Sequence, residues 1–118
     1  MPYVDGFVIC VPKSKLAAYR RLSRAAGKVW REHGALEYRE CAGDDLKTTM
    51  GVSFPKLANV KSGEIVVFSW IVYESRAARN RVNATVMQDP RIIKSMKQPM
   101  PFDPKRMSYG GFKVIVDM

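Results

Sequence analysis

Glu64 to Tyr73 reads Glu-Ile-Val-Val-Phe-Ser-Trp-Ile-Val-Tyr, a strand-length run that is apolar at odd and even positions alike. A strand with one wet face alternates and this one does not, so both faces of its sheet need cover. Tyr3 to Val11 has the same property, with Tyr3, Phe7, Ile9 and Val11 on one face and Val4, Val8 and Cys10 on the other. Asp5 interrupts the first set. Gly6 removes a side chain from the second, which in a strand marks a bulge or a close approach by another group. Arg106 to Val116 is the third such segment, Met107, Tyr109 and Ile115 opposing Phe112, Val114 and Val116 around Gly110-Gly111. Between these lies a more polar strand, Ala35 to Ala42, whose Leu36, Tyr38 and Glu40 alternate with Glu37, Arg39 and Cys41. That polarity predicts a sheet edge.

Helical spacing appears twice. Leu16, Tyr19, Leu22, Ala26, Val29 and Trp30 recur as one stripe while Arg20, Arg24, Lys28 and Arg31 form an outward one. Pro12 ends the preceding strand, Ser14 is the expected N-cap, and Gly34 stands where a left-handed residue closes the helix. Ser75 caps a second helix with Ala78, Val82, Thr85 and Val86 inward, ending near Asp89-Pro90. Arg91 to Lys97 reads as a short extra helix, and Gln98 to Pro104 as a rigid connection with three prolines. Gly43 to Gly63, without clear periodicity, is long enough to be either functional or mobile.

The order is βαββαβ, the ferredoxin-like split arrangement of an α+β fold. Such a sheet carries both helices on one face and leaves the other bare. Either Val66, Phe68, Trp70 and Val72 or Ile65, Val67, Ile71 and Tyr73 would then form a large exposed apolar patch, which monomers avoid. Two sheets packed face to face as a homodimer, a dimeric α+β barrel, remove the conflict.

A length of 118 residues predicts a single domain over 1–118, with one hydrophobic core. The 47% hydrophobic and 26% charged composition is that of a soluble globular protein, and no run approaches the roughly 20 apolar residues of a membrane span. Met1-Pro2 leads straight into a strand without a secretory leader, so a cytoplasmic protein is expected. Cys10 and Cys41 lack metal-ligand spacing and read as small hydrophobes rather than a redox pair. The net charge of +9 adds a second theme, because the cations concentrate in the helical segments. Arg20, Arg24, Lys28 and Arg91 are the candidates for holding an anion or nucleic acid. A solvated outer face is the preferred reading, since aromatics are not interleaved with the charges as base stacking requires.

Tyr3-Val4-Asp5-Gly6-Phe7-Val8 with Val11-Pro12, Phe68-Ser69-Trp70, Asp89-Pro90-Arg91, Met100-Pro101-Phe102-Asp103, Lys105-Arg106-Met107 and Tyr109-Gly110-Gly111-Phe112 together resemble the YbaA-like family of uncharacterised bacterial proteins. The resemblance runs through nearly the whole chain. It implies a dimeric α+β barrel in the bacterial cytoplasm and carries no activity with it. By fold analogy alone, a cofactor-free oxygenase or isomerase is an alternative. The chain departs from the family in its positive charge and in Ala42, where an aromatic often follows the Glu-Cys pair.

The leading functional reading is a small organic ligand held by polar or aromatic groups on apolar elements: Asp5, His33, Glu40, Trp70 and Tyr109. A carboxylate among Tyr3, Phe7 and Ile9 is costly unless paired, so Asp5 is read first as the partner of an arginine or a tyrosine hydroxyl. Glu40, Asp44 and Asp45 are candidate acid and base groups beside it. His33, on the inward face at a helix C-terminus, is a candidate proton shuttle or single axial haem ligand, with capping of its own helix preferred. Trp70 is assigned to a subunit interface first and a ligand wall second, and Tyr109 to a central strand. Gly110-Gly111 lacks the helix and Lys-Ser/Thr of a phosphate loop. Arg91 is read first as an ion-pair residue. No metal site is expected, because His33 is the only histidine and no second ligand stands at suitable spacing. No cofactor is assigned.

Overall fold

The computed structural model describes residues 1–118. The elements are β1 (Tyr3–Pro12), α1 (Leu16–Glu32), β2 (Glu37–Ala42), α2 (Phe54–Leu57), β3 (Glu64–Tyr73), α3 (Arg76–Gln88), α4 (Pro90–Met96) and β4 (Ser108–Lys113). The four strands form one antiparallel sheet in the order β2-β3-β1-β4. Polar β2 is an edge, as its composition predicts. The α+β, ferredoxin-like class is the one expected.

Alternation in the register then decides which apolar set meets the helices. Odd residues of β1 and β3 pair with each other, Tyr3 with Tyr73, Asp5 with Ile71 and Ile9 with Val67, and these are buried under the helix layer. The even set, Val4, Val8, Phe68, Trp70 and Val72, points the other way. The molecule measures 38 × 38 × 20 Å. Since sheets and their packed neighbours are spaced about 10 Å apart, 20 Å holds only the sheet and one helix layer. Only 19 of 118 residues are buried, and Phe68 and Phe112 on the open face are 43% and 61% exposed.

The Gly43 to Gly63 connection covers one end of that open face. The Gly43 amide donates to the Val66 carbonyl at 2.8 Å, the Phe54 ring meets Phe68 edge-on at 5.8 Å, and Cys10 Sγ donates to the Ala58 carbonyl at 3.5 Å. Cys10 and Val66 are buried beneath it. Arg106 clamps the segment's end, donating to both Glu64 carboxylate oxygens at 2.6 and 2.9 Å and to the Asn59 carbonyl at 3.0 Å. The guanidinium holds the Glu64 carboxyl down at about 2.

Several local expectations need correction. Ser14 is not a cap: it lies in a 3₁₀ turn, Lys13–Lys15, and α1 starts at Leu16 with no side-chain cap. Pro12, still extended at φ −57° and ψ 134°, is the last residue of β1, and the chain enters the helix through this 3₁₀ turn. Thr85 is exposed, its hydroxyl bonding back to the Arg81 carbonyl, and Asn83 takes the inward position. The last strand spans six residues, because Pro104–Arg106 forms a second 3₁₀ turn and the chain leaves the sheet after Lys113. Other signals hold. Ser75 caps α3 by accepting from the Ala78 amide, and Gly34 closes α1 at φ +118°, a region open to glycine alone at little cost. Gly6 marks a close approach rather than a bulge, since the β1 ladders run unbroken and the Phe112 ring lies 3.4 Å from where a Cβ would stand.

Candidate functional site

Under the helices the core divides into two clusters. One is built on Val29, Ile71, Tyr73, Val82, Val86 and Ile92, the other on Ile9, Val11, Tyr19 and Val67. Phe7 packs against both. Between them lies a cavity of about 450 Å³, bounded by the odd face of the sheet, by α1, α3 and α4, and by the Met100 to Met107 segment. Its walls are mostly apolar, with Phe7, Trp30, Met96, Met100 and Phe102 among them. This is the size and character of a pocket for a small organic molecule.

Two polar stations enter it. At the first, Asp5 is 7% exposed on β1. Arg79 Nε of α3 stands 3.5 Å from Asp5 Oδ1, and Asn83 Nδ2 donates to Asp5 Oδ2 at 3.4 Å. Asn83 Oδ1 accepts from Trp30 Nε1 at 3.0 Å and from Tyr73 Oη at 2.9 Å. Arg79 also donates to Tyr3 Oη at 3.1 Å, its guanidinium 4.9 Å above the Tyr3 ring. Gly111 makes room for this packing: a Cβ there would sit 2.6 Å from Arg79 Nη2 and 2.7 Å from Tyr3 Cε2. Asp5 is thus the arginine-paired carboxylate that its sequence context suggests. Its partners Arg79 and Asn83 are not singled out by the sequence reading; the signal that finds them is their place one residue after Ala78 and Val82 on the inward edge of α3.

At the second station Glu40, on β2, accepts from Tyr19 Oη at 2.7 Å and from Tyr38 Oη at 3.1 Å. Burial pushes its carboxyl above the ordinary range, against the pull of Tyr19, Tyr38 and Ser69. Both phenols are raised by burial and by the neighbouring carboxylate, which keeps them as donors. Asp5 and Glu40 therefore share one cavity. Asp44 and Asp45 do not join them; they are exposed in the long connection and border no part of it.

His33 is also outside the cavity walls. It closes α1 as the expected C-cap residue, its amide donating to the Val29 carbonyl at 3.1 Å, and its Nε2 bonds Asp89 Oδ2 at 2.9 Å, tying the end of α1 to the start of α4. Asp89 caps α4 through the Arg91 amide, and its carboxyl is held well below the usual range by Arg91 and His33. Arg91 is the ion-pair residue of its first reading, held between Asp89 at 2.9 Å and Glu32 at 2.6 Å, and these contacts stand against the alternative of an anion ligand. Tyr109 lies on edge strand β4, not a central one, because β4 pairs with β1 alone. It is 71% exposed and stacks on Phe7 at 6.0 Å. Trp70 borders the cavity, but its indole donates to Glu37 Oε1 at 2.8 Å on the open face. There it helps line a shallow groove of about 550 Å³ with Val4, Val8, Phe68 and Phe112.

Arg20, Arg24 and Lys28 line an open trough along α1, with Arg21 and Arg31 beside them. Both cysteines are free, Cys10 buried and Cys41 exposed. No three of His, Cys, Asp and Glu converge as metal ligands, and no helix is long and apolar enough to cross a membrane.

Comparison with known proteins matches this geometry to relatives. The chain is 44% identical over 117 residues to the uncharacterised protein YbaA of Escherichia coli K12, covering 99% of each. Among solved structures it is similar to Rv0793 of Mycobacterium tuberculosis, with a TM-score of 0.61 and 16% identity over 99% of this chain and 98% of that one. A dimeric ferredoxin-like protein from an uncultured marine organism matches over 100% of both chains, with a TM-score of 0.54 and 11% identity. These two likenesses establish the fold. Residues 2–104 match the model of DUF1428, a family of proteins of unknown function. With that match and the full-length identity to YbaA, the chain belongs to the DUF1428 family.

Proposed function

We propose that this protein works as a homodimer that binds a small, flat, largely apolar organic molecule between its sheet and helices. The cavity of about 450 Å³ carries this reading: an apolar space reached by two groups of polar side chains from distant parts of the chain. Aromatic walls suit a planar ligand, and the methionines adapt to its outline. A panel of 2-acetonaphthone, hydroxynaphthoquinones, flavones and haem is expected to contain members that raise the melting temperature. A ligand at a hundred times its Kd contributes about 2.7 kcal/mol. Ala26→Phe, which fills the cavity from α1, should melt cooperatively and lose the shift. No shift for any member of the panel, or an undiminished shift in Ala26→Phe, would overturn the reading.

A second reading has its own observation. Arg39, Arg79, Arg91 and Arg106 each have a carboxylate partner, whereas Arg20, Arg21, Arg24 and Lys28 have none. Unpaired cations at i, i+4 and i+8 on one helix suit a phosphate backbone. Gel shifts with single-stranded and duplex DNA should then show binding at low salt that falls steeply with ionic strength and weakens in Arg20→Ala/Arg24→Ala/Lys28→Ala. Absence of binding at low salt, where this attraction is greatest, would dispose of it.

A further inference from the structure

The two carboxylates of the cavity are not equivalent. Asp5 faces a guanidinium, so its charge is balanced inside the protein. Glu40 has no ion-pair partner; its oxygens meet two phenols, which donate hydrogen bonds without supplying positive charge. A carboxylate in this setting is a stronger base than one beside an arginine, since neutralising it by a proton relieves the cost of burial.

Position adds a second observation. Glu40 borders the cavity on one side and the α1 trough on the other. A proton taken up on the cavity side therefore has a short way out to solvent. The groups that face Glu40 are Tyr38 on its own strand, Ser69 on β3, and Tyr19 on α1. Across the trough α1 presents Arg20, Arg21, Arg24, Lys28 and Arg31, with Glu32 at its end. None of these cations lies within ion-pair distance of Glu40.

We propose that Glu40 is a general base that removes a proton from the bound organic molecule, with Tyr19 and Tyr38 as positioning residues. This rests on the cavity being a ligand site and goes further, assigning the substrate class: a flat carbon acid whose C–H lies next to a carbonyl. In the step, the C–H bond breaks, its electron pair moves into the carbonyl to form an enolate, and the proton forms an O–H bond on Glu40. Where a C=C bond adjoins the reacting carbon, return of the proton to the far carbon of the extended enolate gives an isomer with the double bond shifted; no oxidant or reductant is consumed. The neutral end of the ligand rests on the apolar walls, where exclusion of water strengthens the base.

5-Nitrobenzisoxazole tests this directly. A base removes the one C–H proton of its isoxazole ring, the released electron pair forms the nitrile as the N–O bond breaks, and the oxygen leaves as a coloured phenolate. The wild-type protein should accelerate this opening, with a rate that rises with pH through a value above the ordinary carboxylate range. Glu40→Gln should lower kcat/KM by about 10²-fold or more, yet keep the melting shift produced by 2-acetonaphthone, which reports binding alone. Tyr19→Phe retains the carboxylate but removes a donor to its charged form, so the rising limb should move to higher pH. Full activity in Glu40→Gln with binding intact, or an unmoved pH profile in Tyr19→Phe, would overturn the assignment of Glu40 and leave the cavity reading standing. Failure of the wild-type protein to turn over 5-nitrobenzisoxazole would overturn the general-base assignment alone, and absence of a melting shift for every member of the panel would overturn both.

Discussion

Phe68→Asp is expected to abolish the homodimer. Phe68 stands at the centre of the open face, paired across the sheet with Val8 on one side and Cys41 on the other, with the Trp70 ring 5.7 Å away. Packing two open faces would bury this side chain against a symmetric copy. A carboxylate there must be desolvated opposite its own image, which combines a burial cost with like-charge repulsion. Light scattering should give twice the 13.4 kDa chain mass for the wild type, and monomer or aggregate for Phe68→Asp and Trp70→Asp. Ile93→Asp, on the outer surface of α4, should remain dimeric. An unchanged dimer in both open-face variants, or a monomeric wild type, would remove this interface.

Arg79→Met is expected to cost about 3 kcal/mol of stability, the lower end of the range for breaking a buried ion pair. Side-chain exposure is 24% for Arg79 and 10% for Asp5, so little water reaches the carboxylate left behind. The lower end applies because the pair is an electrostatic contact at 3.5 Å and Arg79 Nε makes no hydrogen bond in it. The same change frees Tyr3 Oη and removes the cation from above its ring. Urea titration should show the loss as a lower midpoint at similar slope. Adding Asp5→Asn to Arg79→Met removes the stranded charge and should recover part of the loss. If the double variant is less stable than Arg79→Met by the full effect of Asp5→Asn alone, the two residues are not coupled as described.

Much of the fold was legible because it depends on spacing along the chain. Strand-length runs that are apolar at odd and even positions alike mark β1 and β3, and the mixed polarity of Glu37 to Cys41 marks the β2 edge. The 3.6-residue stripe from Leu16 to Trp30 identifies α1. Ends were less legible. Ser14 has the chemistry of a cap, but the chain direction after Pro12 leaves it in a 3₁₀ turn. Met107 and Val114 to Val116 look like strand, yet Arg106 is drawn to Glu64 and no partner strand extends past Lys113.

The site was legible in part, and for a similar reason. Asp5 and Glu40 stand out as polar interruptions in apolar patterns. His33 fits the inward stripe of α1 equally well, but Asp89, 56 residues away, holds it at the helix ends instead. Arg79 was hidden among many cations on amphipathic helices, and only its distance to Asp5 separates it from them. Tyr19 reads as core by its spacing; that its hydroxyl meets Glu40 depends on how α1 crosses β2.

Sequence alone determined that this sheet has two apolar faces and that two helices cannot cover both. Which set of side chains each face carries follows from the strict two-residue period of a strand. Tertiary structure decided which face the helices take, because each apolar set would satisfy one helix layer and alternation does not distinguish the sides. It also decided that Asp5 faces a guanidinium whereas Glu40 faces two phenols. A carboxyl group's basicity is set by the charges and donors within a few ångströms, and those come from elements that spacing along the chain does not bring together.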